Sequence, residues 1–227
     1  MENIKEYFNT SQRWLPCYGK APRRIQASSE NWNILGNQYT AKEVWEYKKN
    51  NPAMGWGTVV FKDDPMIIID VDGLTETGLS YINSNKSLPL DSSAVSTVLS
   101  RLSIKDTLVE KSMSGHGLHI YLLLNEPAKD LPAISKYPDT LGGLCRQIEL
   151  FNGGNNEDDS KGKFVVYTGN VIKDFKLDFS TTNVPVVEQP TKDNILAFTD
   201  VNLLPVYTHK YPVKKLLDIL LENTQFN

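Results

Sequence analysis

The chain has 227 residues, of which 40% are hydrophobic and 22% charged, with a formal net charge of −3. This composition can bury a core, which excludes bulk disorder, and no run approaches the roughly 20 apolar residues that span a bilayer, so no membrane association is expected. Cys17 and Cys145 are too few and too far apart for a disulfide framework or a cysteine zinc site, and two reduced thiols are expected.

The polar start MENIKEYFNT has no apolar signal core, so a cytoplasmic location is the expectation. Charge is unevenly spread. Residues 1–62 carry nine Lys/Arg against five Asp/Glu, a net +4, which leaves −7 on the remainder. Arg13, Lys20, Arg23 and Arg24 fall in one short stretch without an acid. That stretch reads either as a solvated basic loop or as a local anion-binding patch on an acidic protein.

In chain order, residues 1–39 are rich in aromatic and turn residues. A helix is predicted from Thr40 to Asn50, where Thr40 and Glu43 form a capping box and Val44 and Trp45 can face a core. GWGTVVF (55–61) and MIIIDVD (66–72) read as strands flanking a KDDP turn, close enough to pair as a hairpin. Helices are expected over 74–84 and 92–103. TLVEKS (107–112) and LHIYLLL (118–124) read as strands either side of an MSGHG turn. RQIELF (146–151) and KFVVYTG (163–169) read as a further strand pair joined by a polar loop. Residues 173–211 are weakly patterned. VKKLLDILLE (213–222) has the i, i+3, i+4, i+7 apolar spacing of an amphipathic helix. This order predicts an α+β fold with helices beside a mostly antiparallel sheet.

Four features carry chemistry. Asp70 and Asp72 are two apart at the end of a buried strand, so both carboxylates leave the same face. Their mutual repulsion asks for a cation, basic neighbours or a proton, and hard divalent ions suit oxygen donors. The alternative is a strand that ends in solvent with two ordinary turn acids. In SMSGHGLHIY (112–121), the small residues Ser112, Ser114, Gly115 and Gly117 precede a strand that carries His119 on the face of Tyr121 and Leu123. Backbone amides and hydroxyls of such a turn suit a phosphate, and the imidazole can donate to it. The alternative is a tight hairpin with a satisfied histidine. Zinc at His116 and His119 is disfavoured, because no third ligand is near in sequence. Glu149 stands between Ile148 and Leu150 as an exposed strand position or as a third ligand beside the Asp pair. Thr168, Gly169 and Asn170 sit at a strand end where a base or sugar could be held.

Together, IIIDVDG (67–73), SMSGHGLHIYLL (112–123), QIELFNGG and KFVVYTGN resemble the archaeo-eukaryotic-type primase–polymerase family, and most of all the prim-pol domains of phage, plasmid and other mobile-element replication proteins. WLPCYGKAPRR and GWGTVVFKDDP are also similar to the family's N-terminal pattern, so the resemblance covers about residues 13–172. It implies an RRM-like core with an N-terminal α/β unit, a catalytic domain over 1–185 and a C-terminal extension over 186–227 that ends in the 213–222 helix. It implies template-directed nucleotidyl transfer, as a DNA primase, a DNA polymerase or both. Asp70, Asp72 and Glu149 match the family's metal-binding acids, with Mg²⁺ or Mn²⁺ as cofactor. Ser112, Ser114 and His119 match its nucleotide-phosphate motif, with Gly115, Gly117, Lys163, Thr168 and Gly169 as accompanying nucleotide contacts. Arg13, Lys20, Arg23 and Arg24 would meet nucleic acid. The implied partners are nucleoside triphosphates, single-stranded DNA or a primer–template, and a helicase domain or protein. His116 departs from the pattern, where a small or polar residue is expected. The main alternative is a non-catalytic single-stranded nucleic-acid-binding module that keeps the fold. A metal-dependent nuclease is weaker, since Tyr121 lies inside a strand and is poorly placed as a nucleophile.

Overall fold

The run MIII at 66–69 has no exposed face to offer, and the chain buries it on both sides. A computed structural model describes residues 3–26, 30–89, 98–99, 102–131, 134–138, 143–153, 158 and 160–178. The first sheet is antiparallel, in the order β11 (Lys163–Tyr167), β4 (Gly55–Val60), β1 (Gln12–Tyr18) and β2 (Ala21–Pro22), with β3 (Tyr39–Thr40) also on β1. The second, also antiparallel, runs β7 (Ile104–Lys111), β8 (Gly117–Leu124), β5 (Met66–Asp72), β10 (Gln147–Phe151) and β9 (Ile134–Pro138). A parallel pair joins β6 (Ser87–Pro89) to β12 (Lys176–Asp178). The fold is mixed, with mostly antiparallel sheets and few helices, as the sequence pattern predicts.

The second sheet is buried on both faces. One face, with Met66, Ile68, Tyr121, Leu123 and Phe151, packs against the first sheet through Trp14, Val60 and Val165. Helix α1 (Ile4–Thr10) adds Ile4, Tyr7 and Phe8, and α2 (Ala41–Lys49) adds Val44. The other face, with Ile67, Ile69, Val71, Leu118, Ile120, Ile148 and Leu150, packs against Ile82 of α3 (Glu76–Asn85) and against Val98 and Leu99. Ile67, Ile68 and Ile69 are all fully buried, each worth about 1.5–3 kcal/mol in apolar burial. Two-sided burial is why β5 and β8 read as continuous apolar runs rather than as alternating ones.

Both arms of the Thr40–Glu43 capping box form at the start of α2. Val44 is buried as expected, whereas Trp45 is 48% exposed and stacks on Trp56 at 5.7 Å. The predicted 74–84 helix is α3, capped by the Thr75 side chain on the Gly78 amide. Of the predicted 92–103 helix only residues 98–99, which are helical, and 102–103 are described. The 213–222 helix and the whole 186–227 extension lie outside the described residues.

Two strand pairings differ from expectation. β4 and β5 do not form a hairpin but enter different sheets, and neither do β10 and β11 pair with each other. Alternation says which residues share a face, not which strand is the partner. At the β4–β5 turn the Asp64 carboxylate accepts the Phe61 amide at 2.9 Å and the Arg13 guanidinium at 2.6–3.0 Å. Those bonds hold the turn in the conformation that sends the chain across to the other sheet. The early helix α1 and strand β1 were not predicted. β1 carries Pro16 opposite Trp56 of β4, and a proline in the run argues against a central strand because it lacks an N–H.

Candidate active site

The site begins where the apolar interface between the sheets stops. Strand register across β7, β8, β5 and β10 sets residues in rows on one face. Leu108, Tyr121, Ile68 and Phe151 form an apolar row. Two residues along each strand, the next row is Glu110, His119, Asp70 and Glu149. Beyond it Asp72 stands between Gly117 and Gln147. Adjacent strands are about 4.8 Å apart, so the charged row is a short polar shelf at the rim of the core, facing the first sheet.

The sequence reading places Asp70, Asp72, His119 and Glu149 together, and the register does bring them to one face. Asp70 lies directly between His119 and Glu149. Burial pushes its carboxyl above the usual aspartate range; His119 and Lys20 pull it down, while the charges of Glu149 and Asp72 push it further up. Lys20, on the β1–β2 turn of the first sheet, is the basic residue near enough to favour the Asp70 anion. The Asp72 carboxylate is ion-paired with the exposed Arg146 guanidinium. The Gln147 side-chain amide donates to Glu149 Oε1 at 2.7 Å.

His119 is 8% exposed, with Nδ1 3.0 Å from Glu110 Oε1 and Nε2 4.0 Å from Asp70 Oδ1. Glu110 was not among the predicted site residues. It is wholly buried and also accepts from the Tyr121 hydroxyl at 2.8 Å. Its other oxygen accepts the Thr168 amide at 2.9 Å and the Gly169 amide at 2.8 Å. A signal for it exists in the sequence. Once Ser112 and Gly117 close the turn, with the Ser112 amide donating to the Gly117 carbonyl at 2.8 Å, counting back two places on each strand sets Glu110 opposite His119.

The 112–117 turn lies at the open end of the same rows. The Ser112 and Ser114 hydroxyls are 3.1 Å apart, and the Gly115 amide donates to the Ser112 carbonyl. Gly115 has φ +76°, and a Cβ on Gly117 would meet the Val71 carbonyl at 2.6 Å and Ser112 Oγ at 2.8 Å. Glycine is therefore required at both places. His116 is exposed, and its carbonyl accepts the Leu74 amide at 2.9 Å, which ties the turn to the end of β5.

The other predicted basic residues are placed as follows. Arg13 is committed to Asp64, with the carboxylate 4% exposed. That pair is structural, because a buried carboxylate of a turn needs a fork-shaped donor. The Arg23 guanidinium covers the Tyr18 ring at 4.7 Å, and Arg24 is half-buried. Lys163 is at the opposite end of β11 from Thr168, about 16 Å away at strand spacing, with its ammonium over the Phe151 ring at 4.6 Å. Trp14 is 2% exposed and belongs to the core.

The donor chemistry fits a hard divalent cation: three carboxylates on one face, one of them destabilised as an anion by burial and, less, by its like-charged neighbours. The arrangement is not closed around an ion. Among the described residues no group of three or more His, Cys, Asp or Glu side chains is gathered to hold a metal, and the half-exposed Asp72 would have to turn from Arg146 to join Asp70 and Glu149. In comparison with known proteins, the chain matches no protein-family model and no curated protein.

Proposed function

We propose that this chain catalyses template-directed nucleotidyl transfer, as a DNA primase, a DNA polymerase or both, in the replication of a phage, plasmid or other mobile element. The observation that carries this reading is the cross-strand row in which Asp70 stands between His119 and Glu149, with Asp72 beside it on the same face. In the reaction a 3′-hydroxyl oxygen attacks the α-phosphorus of a nucleoside triphosphate, and the bond to pyrophosphate breaks. Asp70, Asp72 and Glu149 would hold Mg²⁺ or Mn²⁺, which when bound supplies charge neutralisation at the attacking and leaving oxygens. His119 and the 112–117 turn orient the triphosphate, the turn through amides and hydroxyls and His119 through its ring. Lys20 adds a cation from the facing sheet. Template would run along the first-sheet side of the cleft, and positioning of the reactants supplies much of the rate.

The test is incorporation of labelled nucleotide on single-stranded template, with and without primer, in Mg²⁺ and in Mn²⁺. Wild type should extend product, and the Asp70→Ala/Asp72→Ala double variant should lose synthesis while keeping its fold by circular dichroism. Undiminished synthesis by the double variant overturns the proposal. A non-catalytic single-strand-binding module is the second reading, favoured by the Asp72–Arg146 ion pair. It requires strand binding by wild type with no incorporation under any metal.

A further inference from the structure

The row of site residues has a fourth member that the nucleotidyl-transfer reading does not use. Glu110 is a carboxylate with no solvent exposure, in the same sheet and one strand outward from His119. Burying an unpaired carboxylate is costly, so such a group persists only where donors surround it. Here Oε1 takes the His119 ring nitrogen Nδ1 at 3.0 Å and the Tyr121 hydroxyl at 2.8 Å. Oε2 takes the backbone amides of Thr168 and Gly169 at 2.9 and 2.8 Å. The Thr168 hydroxyl, with its single hydrogen, is shared between Oε2 at 3.0 Å and the Lys111 carbonyl at 2.7 Å. Four full donors, with the shared Thr168 hydroxyl as a partial fifth, fill the roughly four acceptor sites of a carboxylate. The two oxygens divide by element: one faces residues of the second sheet, the other the chain leaving the first.

We propose that Glu110 is the positioning residue of this site: one carboxylate oxygen fixes His119 with its hydrogen on Nδ1 and Nε2 turned toward Asp70, and the other pins the Thr168–Gly169 end of β11 beside the same cleft. A carboxylate can only accept, so the nitrogen it faces is the one that carries hydrogen. Nε2, 4.0 Å from Asp70, is then the ring atom left facing the site. The same carboxylate sets the separation of the two walls, because Thr168 and Gly169 follow a first-sheet strand and His119 stands on a second-sheet strand. The inference rests on the nucleotidyl-transfer reading for its kinetic consequence only; the geometry it claims is separate.

Two measurements test it on the full chain. In nitrogen-15 NMR at mildly alkaline pH, where a free imidazole is neutral, wild-type His119 should show a protonated Nδ1 and a bare Nε2. His116 and His209 give the other histidine signals, and His119→Asn identifies the His119 set. Glu110→Gln should convert this pattern to a tautomer mixture. Hydrogen on Nε2 with a bare Nδ1 in wild type overturns the proposal without any variant, as does an unchanged pattern in a folded Glu110→Gln. In the incorporation assay, Glu110→Gln should raise KM for nucleotide, and the double variant should lose less than the two single losses combined, because part of the Glu110 effect runs through His119. Fully additive losses would show that Glu110 acts elsewhere and overturn the inference. If wild type incorporates nothing, the functional reading fails while the NMR result still decides the geometry.

Discussion

Replacing Asp70 by asparagine should make the protein more stable at neutral pH while removing the proposed nucleotidyl transfer. The side chain keeps its size, so no cavity forms. What changes is charge. Asp70 and Glu149 are directly opposed across two strands, an arrangement in which like charges cost about 0.2–1 kcal/mol. Burial adds a desolvation penalty on a side chain that is 30% exposed. Against these stands the lost attraction to His119 and Lys20. We expect a net gain of about 1 kcal/mol, within the range seen when a functional site is relaxed, or about 2–4 °C in Tm for a domain of this size. The pH dependence fixes the cause. The folded-state pKa of Asp70 is raised, so the folded protein holds this proton more tightly than the unfolded chain does. The wild-type penalty is therefore complete above the folded pKa and vanishes below the ordinary aspartate value of 3.8. Thermal melts followed by circular dichroism between about pH 7.5 and pH 4 should show the Asp70→Asn advantage shrinking as the pH falls. Added Mn²⁺ should raise the Tm of wild type and leave that of the variant nearly unchanged. A variant less stable than wild type at neutral pH, or an advantage that does not depend on pH, would refute the reasoning.

Two further outcomes follow from the ion pairs. Asp64→Ala removes the acceptor for Arg13 and for the Phe61 amide at a turn where the carboxylate is buried, and should cost about 3 kcal/mol, read from urea unfolding midpoints. Arg146→Ala releases Asp72 from an exposed pair. Such pairs are worth up to about 1 kcal/mol, so Mn²⁺ affinity measured by titration calorimetry should tighten by no more than about fivefold; weaker Mn²⁺ binding would show that Arg146 supports the site rather than competing for it.

Much of the local structure is legible in the residues. The capping box at Thr40, the helix that becomes α3, and the strands carrying Asp70, Asp72, His119 and Glu149 all follow from spacing. So does the sharing of one face by Asp70 and Asp72, because side chains alternate along a strand. The same alternation puts His119 with Tyr121, and counting back through the 112–117 turn would have reached Glu110.

Partnership between distant strands does not follow from spacing. The insertion of β5 between β8 and β10 places Asp70 between His119 and Glu149, and nothing local to any of these strands specifies it. The separation of β4 from β5 and the pairing of Arg13 with Asp64 are decided in the same way. Each depends on which apolar face finds which, a property of the packed whole. The sequence alone determined which residues could share a face; the order of strands in the tertiary structure decided which of them meet, because hydrogen-bond register, not proximity along the chain, brings side chains of separate strands together.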